Sequence, residues 1–226
     1  MPLILDRPSV LVAGATGLVG RQLLGQLLAD RHTGMVHALV KRDVQDLPSS
    51  VRLLRHRIDL TQPLTLPTAG VAYIALGTTI KAAGSQAAFA NNDRDAAIAI
   101  ARAARKAGVT HVAVVSALGA DVNSAIFYNR VKGEMEAGLT ALGFERLVIV
   151  RPSLLAGDRH AIGQPLRIGE KIALTLLAPV DRLLPPKLRP VGADMVARAM
   201  RRVLREDGPA VQIVESAQIQ IVGARR

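Results

Sequence analysis

Val10-Leu11-Val12-Ala13-Gly14-Ala15-Thr16-Gly17-Leu18-Val19-Gly20 decides the fold. Val10 to Ala13 form a short apolar run of the kind that becomes a fully buried strand. Glycines follow at 14, 17 and 20, and Leu18, Val19, Leu23, Leu24, Leu27 and Leu28 then recur at helical spacing. A strand, a glycine turn and a helix carry a pyrophosphate onto the helix N-terminus, where free N–H groups and the helix dipole favour negative charge. Gly14 permits the tight turn, Gly17 has no Cβ to push phosphates away, and Gly20 lets the helix lie close to the sheet. The spacing alone also suits any tight turn beside a core helix. Its place between a strand and a helix near the N-terminus is what points to a nucleotide.

Working outward, residues 35–40 read as a second strand with Lys41 and Arg42 at its end. They stand about twenty residues past the last glycine, where a dinucleotide fold meets the adenosine ribose. An acidic residue there takes the ribose 2′-hydroxyl, whereas a cation accommodates a 2′-phosphate. Two adjacent cations favour NADP over NAD, although Asp43 would reach the ribose if the register shifted. Residues 51–58 suggest a third strand closed by Asp59 and Leu60, at the adenine position. Residues 70–76 suggest a fourth, ending in Leu76-Gly77-Thr78-Thr79, and ligands of open α/β sheets bind at such carboxyl ends.

Beyond it, 81–84 read as a loop and 85–108 as one alanine-rich helix stopped by Gly108. Residues 111–116 give a fifth strand. A helix capped by Asn123 or Ser124 follows, with Phe127, Val131, Met135, Leu139 and Leu142 as its buried stripe. Residues 146–150 give a sixth strand, 155–164 a loop, 166–177 a helix, 192–204 a helix capped near Asp194, and 210–214 a last strand. This alternation predicts a doubly wound, mostly parallel α/β sheet with helices on both faces, a Rossmann fold, in one domain over 1–226. A small irregular C-terminal region would lie on the substrate side.

Composition narrows the function. The 226 residues include no cysteine, which removes disulfides, thiol catalysis and iron–sulfur clusters. The net charge is +11, but no basic run exceeds two residues and aromatics are 2%, so nothing offers a stacking platform for nucleic acid. The excess reads as a solvated surface plus an anion-binding pocket. No apolar run approaches the roughly 20 residues that span a bilayer. With no secretory pattern at the N-terminus, a cytoplasmic address is expected. The histidines at 32, 37, 56, 111 and 160 show no ligand spacing with carboxylates, so no metal is expected. No Gly-x-Ser-x-Gly surrounds Ser116, which argues against a serine hydrolase.

Ser116, Tyr128 and Lys132 carry the chemistry. Tyr128 and Lys132 lie at i and i+4 and stack on one helix face beside the buried stripe. A phenol ionising near ~10 is a poor acid–base at neutral pH, and a cation one turn away favours the phenolate. Tyrosine then protonates a carbonyl oxygen as hydride arrives at carbon, or takes the proton of an alcohol in reverse. Ser116, at the end of the fifth strand, could hydrogen-bond the same oxygen. An ordinary helix face would also show Tyr-x3-Lys, yet the chain has only two tyrosines.

These stretches, with Val115-Ser-Ala-Leu-Gly-Ala-Asp121, Tyr128-Asn-Arg-Val-Lys-Gly-Glu-Met-Glu136 and Arg151-Pro-Ser-Leu-Leu-Ala-Gly-Asp-Arg159, resemble the short-chain dehydrogenase/reductase superfamily over nearly the whole chain. The nearest likeness is to its atypical NAD(P)H-binding branch, which includes the human Tat-interacting protein and bacterial epimerase-like relatives. The resemblance implies that Thr16, Gly17, Leu18 and Val19 line the pyrophosphate. Lys41 and Arg42 would meet the adenosine phosphate, and Asp59 and Leu60 would flank adenine. Leu76, Gly77 and Thr78 would run along the nicotinamide half. Lys132 would hold the nicotinamide ribose, and Pro152, Ser153, Leu154 and Leu155 would wall the ring. Asp158 and Arg159 would face substrate or form a surface ion pair. Two departures stand out: the chain past the sixth strand is much shorter than in sugar-nucleotide epimerases, and Ala117 replaces a second serine. The reading is an NADP(H)-dependent oxidoreductase acting on a small carbonyl or alcohol as a monomer or homodimer. The alternative is a non-catalytic NADPH-binding regulator or redox sensor.

Overall fold

Strand β1 (Val10–Ala13) is an interior strand, third in a seven-stranded, all-parallel sheet in the computed structural model, which describes residues 7–44, 46–156 and 185–224. It pairs with β2 (Val36–Val40) on one side and β4 (Val71–Ile74) on the other. The order is β3-β2-β1-β4-β5-β6-β9, where β3 is Leu53–Arg57, β5 His111–Val115, β6 Arg146–Arg151 and β9 Val211–Glu215. Sequence order reverses between β1 and β4, the point where open sheets of this kind leave a ligand crevice. A separate two-stranded ribbon joins β7 (Leu155–Ala156) to β8 (Val191–Gly192).

The two-residue period of β1 divides the core. Val10 and Val12 face α1 (Leu18–Ala29) and α6 (Ala193–Arg205), meeting Leu23, Leu27, Val196 and Met200. Leu11 and Ala13 face α4 (Ala96–Lys106) and α5 (Phe127–Thr140), meeting Ile100, Ala104, Met135 and Leu139. Because both faces are covered, the central strands are continuous apolar runs rather than alternating ones. Asp30, just past α1, pins α6 to it through Arg201 at 3.0 Å and through Arg205. Burial alone would raise the Asp30 carboxyl, but the His32 N–H, then Arg205 and Thr33, outweigh it and hold it well below the usual carboxylate range.

All seven expected strands form, and four local expectations need correction. Residues 81–84 are not a loop: Thr79 caps a one-turn helix, α2 (Ile80–Ala83), by accepting the Ala82 N–H at 3.0 Å. The helix expected over 85–108 is α3 (Gln86–Ala90), a π turn over Asn91–Asp95, and then α4, ending at Gly108 with φ +94°. Helix α5 is capped by neither Asn123 nor Ser124; Ile126 occupies the cap position, and Ser124 Oγ accepts the Ile126 N–H at 3.2 Å in a turn outside the helix. Asp194 sits in the first turn of α6, whose cap position is Gly192. A final helix, α7 (Ser216–Ala224), has no counterpart in the sequence reading, because its Ile-Gln-Ile-Val run alternates like a strand. The helix expected at 166–177 lies outside the described residues.

At the sheet edge, His37 Nδ1 of β2 lies 2.9 Å from His56 Nε2 of β3. Burial, and then the neighbouring His56, push the His37 pKa below its ordinary 6.5. The unfolded chain therefore takes up this proton before the folded one does, so the pair's stability is complete above 6.5 and erodes as pH falls through it. We expect a melting temperature that is level above about pH 7 and declines below about pH 6, with His37→Leu flattening part of that decline. An unchanged slope in the variant would show that the pair carries none of it.

Candidate active site

The glycine turn builds the crevice out of backbone alone. Gly14 has φ +80°, and a Cβ there would lie 2.3 Å from the Ala75 carbonyl oxygen at the end of β4. A Cβ on Gly20 would lie 2.0 Å from the Gly14 carbonyl oxygen, so the first turn of α1 is pressed onto the turn that precedes it. Gly17 is the cap residue of α1, with no side-chain cap and no acidic residue in the first turn. The helix therefore opens with no side-chain cap from Gly17 and with the positive end of its dipole toward the crevice. This is the condition an anionic pyrophosphate requires, and the residues present fit one.

Two adjoining cavities open here, and they share Gly14, Thr16 and Leu76. One, of about 370 Å³, runs toward the ends of β2 and β3, with Lys41 and Arg42 at its wall and Ile58 beneath. The other, of about 230 Å³, runs toward β5 and α5. Gly17, Leu18 and Val19 form its α1 side, Gly77 and Thr78 its β4 side, and Ser116, Tyr128, Lys132 and Leu155 its far wall. The structure thus gathers the glycine turn, the β4 turn and the Ser116–Tyr128–Lys132 set around one space.

Helix α5 presents Tyr128, Lys132 and Glu136 on one face at intervals of four. The Tyr128 ring packs against buried Phe89 of α3 with centroids 5.3 Å apart. The Lys132 ammonium lies 2.7 Å from Asp93 Oδ1, and their side chains are 3% and 1% exposed. The other oxygen of Asp93 accepts the Thr78 N–H at 3.0 Å. Ser116 donates its hydroxyl proton to Glu136 Oε1. Glu136 also receives Arg151 Nε at 3.0 Å and Nη2 at 2.6 Å, and Arg151 reaches on to Glu215 at 3.1 Å. These contacts, Glu136 first, raise the Arg151 pKa against the cost of burial.

This alters the role expected of Ser116. With its proton committed to a carboxylate, it offers the cavity an acceptor rather than a donor. Asp93, Glu136 and Arg151 were not singled out by the sequence reading, although the spacing of Glu136 after Tyr128 and Lys132 was a usable signal. Other expected residues lie off both cavity walls. Asp59 Oδ1 is turned back to Thr61, accepting its N–H at 2.9 Å and its hydroxyl at 2.7 Å. Leu60 packs against the α4–α5 core. The Pro152 carbonyl takes the Leu118 N–H at 2.9 Å, and Ser153 Oγ donates to the Arg189 carbonyl. Leu154 gives its carbonyl to Val191, starting the ribbon that carries Leu155 to the cavity. Asp158 and Arg159 lie outside the described residues.

Residues 14–169 match the family model described as NAD(P)H-binding. The chain belongs to this NAD(P)H-binding family. A mitochondrial FMP52 protein of Eremothecium gossypii is 35% identical over 213 residues, 93% of this chain and 95% of that protein. Another from Emericella nidulans is 38% identical over 161 residues, 67% of this chain and 69% of that one. These names correct the cytoplasmic expectation, since the relatives are mitochondrial proteins and point to mitochondria rather than the cytoplasm. MoeE5, solved with UDP-glucose and NAD, superposes with a TM-score of 0.66 at 18% identity, over 91% of this chain and 75% of its own. A short-chain dehydrogenase/reductase family oxidoreductase from Burkholderia thailandensis gives 0.64 at 16% identity, over 94% and 93%. These structures share the Rossmann architecture. Among the described residues of this NAD(P)H-binding protein, no helix is long and apolar enough to cross a membrane.

The buried charge chain behind the cavity sets a stability test. Glu136→Ala strands the Ser116 hydroxyl and leaves Arg151 with Glu215 alone, and should cost about 2–4 kcal/mol in urea unfolding. Glu215→Ala removes a carboxylate whose side chain is 44% exposed, and should cost less than about 1 kcal/mol. Equal losses would mean that the burial of Glu136 has no energetic consequence.

Proposed function

We propose that this protein is an NADP(H)-dependent oxidoreductase that moves hydride to or from a small carbonyl or alcohol. The observation carrying this reading is the pair of cavities joined at Gly14, Thr16 and Leu76, with Lys41 and Arg42 at one end and Tyr128 and Lys132 at the other. A dinucleotide has that bipartite form, and the N-terminus of α1 at the junction suits its pyrophosphate. Gly14, Thr16, Gly17, Leu18 and Val19 would hold the pyrophosphate. Leu76, Gly77, Thr78 and Leu155 would bound the nicotinamide half.

At the adenosine end, Lys41 and Arg42 supply the positive charge that a 2′-phosphate needs. Among the described residues, no acidic side chain lines that cavity to claim a 2′-hydroxyl instead. Asp59, the nearby candidate, turns one carboxylate oxygen back onto Thr61 and is not among the residues lining that cavity. This is the ground for NADP over NAD.

When bound, the nicotinamide supplies or accepts the hydride. The chain supplies position and a proton. Tyr128 Oη gives its proton to the carbonyl oxygen during reduction and recovers one from the alcohol during oxidation. Phe89 holds the ring of Tyr128 in place, and Lys132 provides the adjacent positive charge. Ser116 accepts a hydrogen bond from a hydroxyl in the cavity, because Glu136 already takes its proton.

Titration with NADPH and NADH, followed by nicotinamide fluorescence, tests the cofactor half. NADPH should bind the more tightly. Replacing both Lys41 and Arg42 by alanine should weaken NADPH by about 10- to 100-fold, the size of one or two charge-assisted hydrogen bonds, and leave NADH nearly unchanged. With a carbonyl panel, Tyr128→Phe should lower turnover by about 100-fold or more while NADPH affinity persists. A Tyr128→Phe variant as active as wild type would remove Tyr128 from the chemistry.

A further inference from the structure

Asp93 stands apart from the residues assigned so far. It sits in the π turn between α3 and α4, and its side chain is 1% exposed. A π turn holds one residue more than the α-helical ladder and is common where a helix aims a side chain inward. Its carboxylate makes two contacts that belong to different walls of the cavity. One oxygen lies 2.7 Å from Lys132 Nζ on α5, and the other accepts the Thr78 N–H from the turn after β4.

A cationic side chain as buried as that of Lys132 is costly to bury without a counter-charge beside it. Two other charged groups of the described residues on α5 and the π turn are paired elsewhere. Glu136 is held by Arg151, and Arg94 is held by Asp95 at 2.8 Å and by Glu134 at 2.5 Å. Asp93 is the carboxylate in contact with Lys132. We infer that Asp93 is the positioning residue of this site, fixing the Lys132 ammonium beside Tyr128 and locking the β4 turn to it. Asp93 acts through Lys132 and touches no reacting atom. The inference rests on the role proposed above for Lys132 beside Tyr128.

The composition of the chain permits a test without substrate. There is no tryptophan and there are two tyrosines, so phenolate absorbance near 295 nm reports Tyr73 and Tyr128 alone. Burial within the sheet pushes Tyr73 up to about 12, and Tyr128→Phe identifies the step that belongs to Tyr128. The experiment is a pH titration of wild type, Asp93→Asn, Lys132→Met and the double variant, with far-UV circular dichroism confirming the folded state at each point.

If Asp93 works through Lys132, Asp93→Asn moves the Tyr128 step upward by about one pH unit, because the ammonium is no longer held beside the phenol. Lys132→Met moves it similarly, and the double variant moves no further than Lys132→Met. A downward move for Asp93→Asn, which deleting a nearby negative charge produces by itself, overturns the inference. So does an unmoved step, or one fully additive with Lys132→Met. Should Asp93→Asn fail to fold, Asp93→Glu retains the charge and should keep the step within a few tenths of a pH unit of wild type; a large displacement in that variant counts against the assignment. The same four proteins are titrated with NADPH. If the wild type binds none, the oxidoreductase reading fails, while the absorbance cycle on the protein alone still decides the role of Asp93.

Discussion

The functional edge of this protein depends on a backbone contact: the Gly14 turn lying against the Ala75 carbonyl, with the first turn of α1 lying on Gly14 in turn. Three chain segments meet there with no side chain between them. Any Cβ at position 14 would overlap the end of β4, and any Cβ at position 20 would overlap the turn itself. The closeness of that contact leaves the ends of β1 and β4 exposed to the crevice. It also places α1 so that its N-terminus faces the same space. Because the strand order reverses at this point, chain leaving β1 and chain leaving β4 diverge to opposite faces and a groove opens between them. Both cavities descend from this arrangement, which is why each includes Gly14 in its wall.

Helix α5 meets that groove with a ladder of three polar side chains, Tyr128, Lys132 and Glu136, and two of them are tied to other elements. Lys132 is bound to the π turn, and Glu136 to the ends of β5 and β6 through Ser116 and Arg151. Buried pairs of this kind return little net stability, since taking both charges out of water costs about as much as their attraction returns. Their contribution is geometric. Each pair allows one arrangement of its partners, and each fixes an element whose own backbone would tolerate several. A helix held only by the apolar stripe of Val131, Met135 and Leu139 could roll or slide by part of a turn. With Lys132 and Glu136 anchored to separate elements, it cannot do so without breaking a buried ion pair.

The fold was readable because its strands are short apolar runs and its turns are glycines, signals that act locally. Val10 to Ala13 and the three glycines need no knowledge of distant residues. The placement of the candidate residues was readable, since Tyr128 and Lys132 share a helix face by spacing alone. The electrostatics of the site were not. Asp93 lies 39 positions from Lys132, and nothing in Asn91-Asn92-Asp93-Arg94-Asp95 distinguishes one carboxylate from the other. The π turn decides which of them points inward. Asp95 instead pairs with Arg94 near the surface. The same turn broke the helix expected over 85–108, so the error in local structure and the omission of Asp93 have one cause. Ser116 shows the complementary failure. Its position at a strand end was visible, but whether a serine donates or accepts depends on what stands behind it, and Glu136 comes from another element.

The π turn also joins the two ends of the groove. Asn92 Oδ1 accepts Lys41 Nζ at 2.7 Å on the adenosine side, while the next residue holds Lys132 on the other. Two consecutive residues therefore contact the two lysines to which opposite halves of a dinucleotide would be drawn. A regular α-helix turns 100° per residue, and the wider π turn alters where successive side chains point over just this segment. The placement explains how a chain with a net charge of +11 can present a cavity whose inner charges are balanced. Lys132 is matched by Asp93 and Arg151 by Glu136, whereas Lys41 and Arg42 meet a neutral amide and solvent. Uncompensated positive charge is thus left at the outer end of the groove, where a phosphate would enter, while at the inner end the Lys132 ammonium is paired with Asp93.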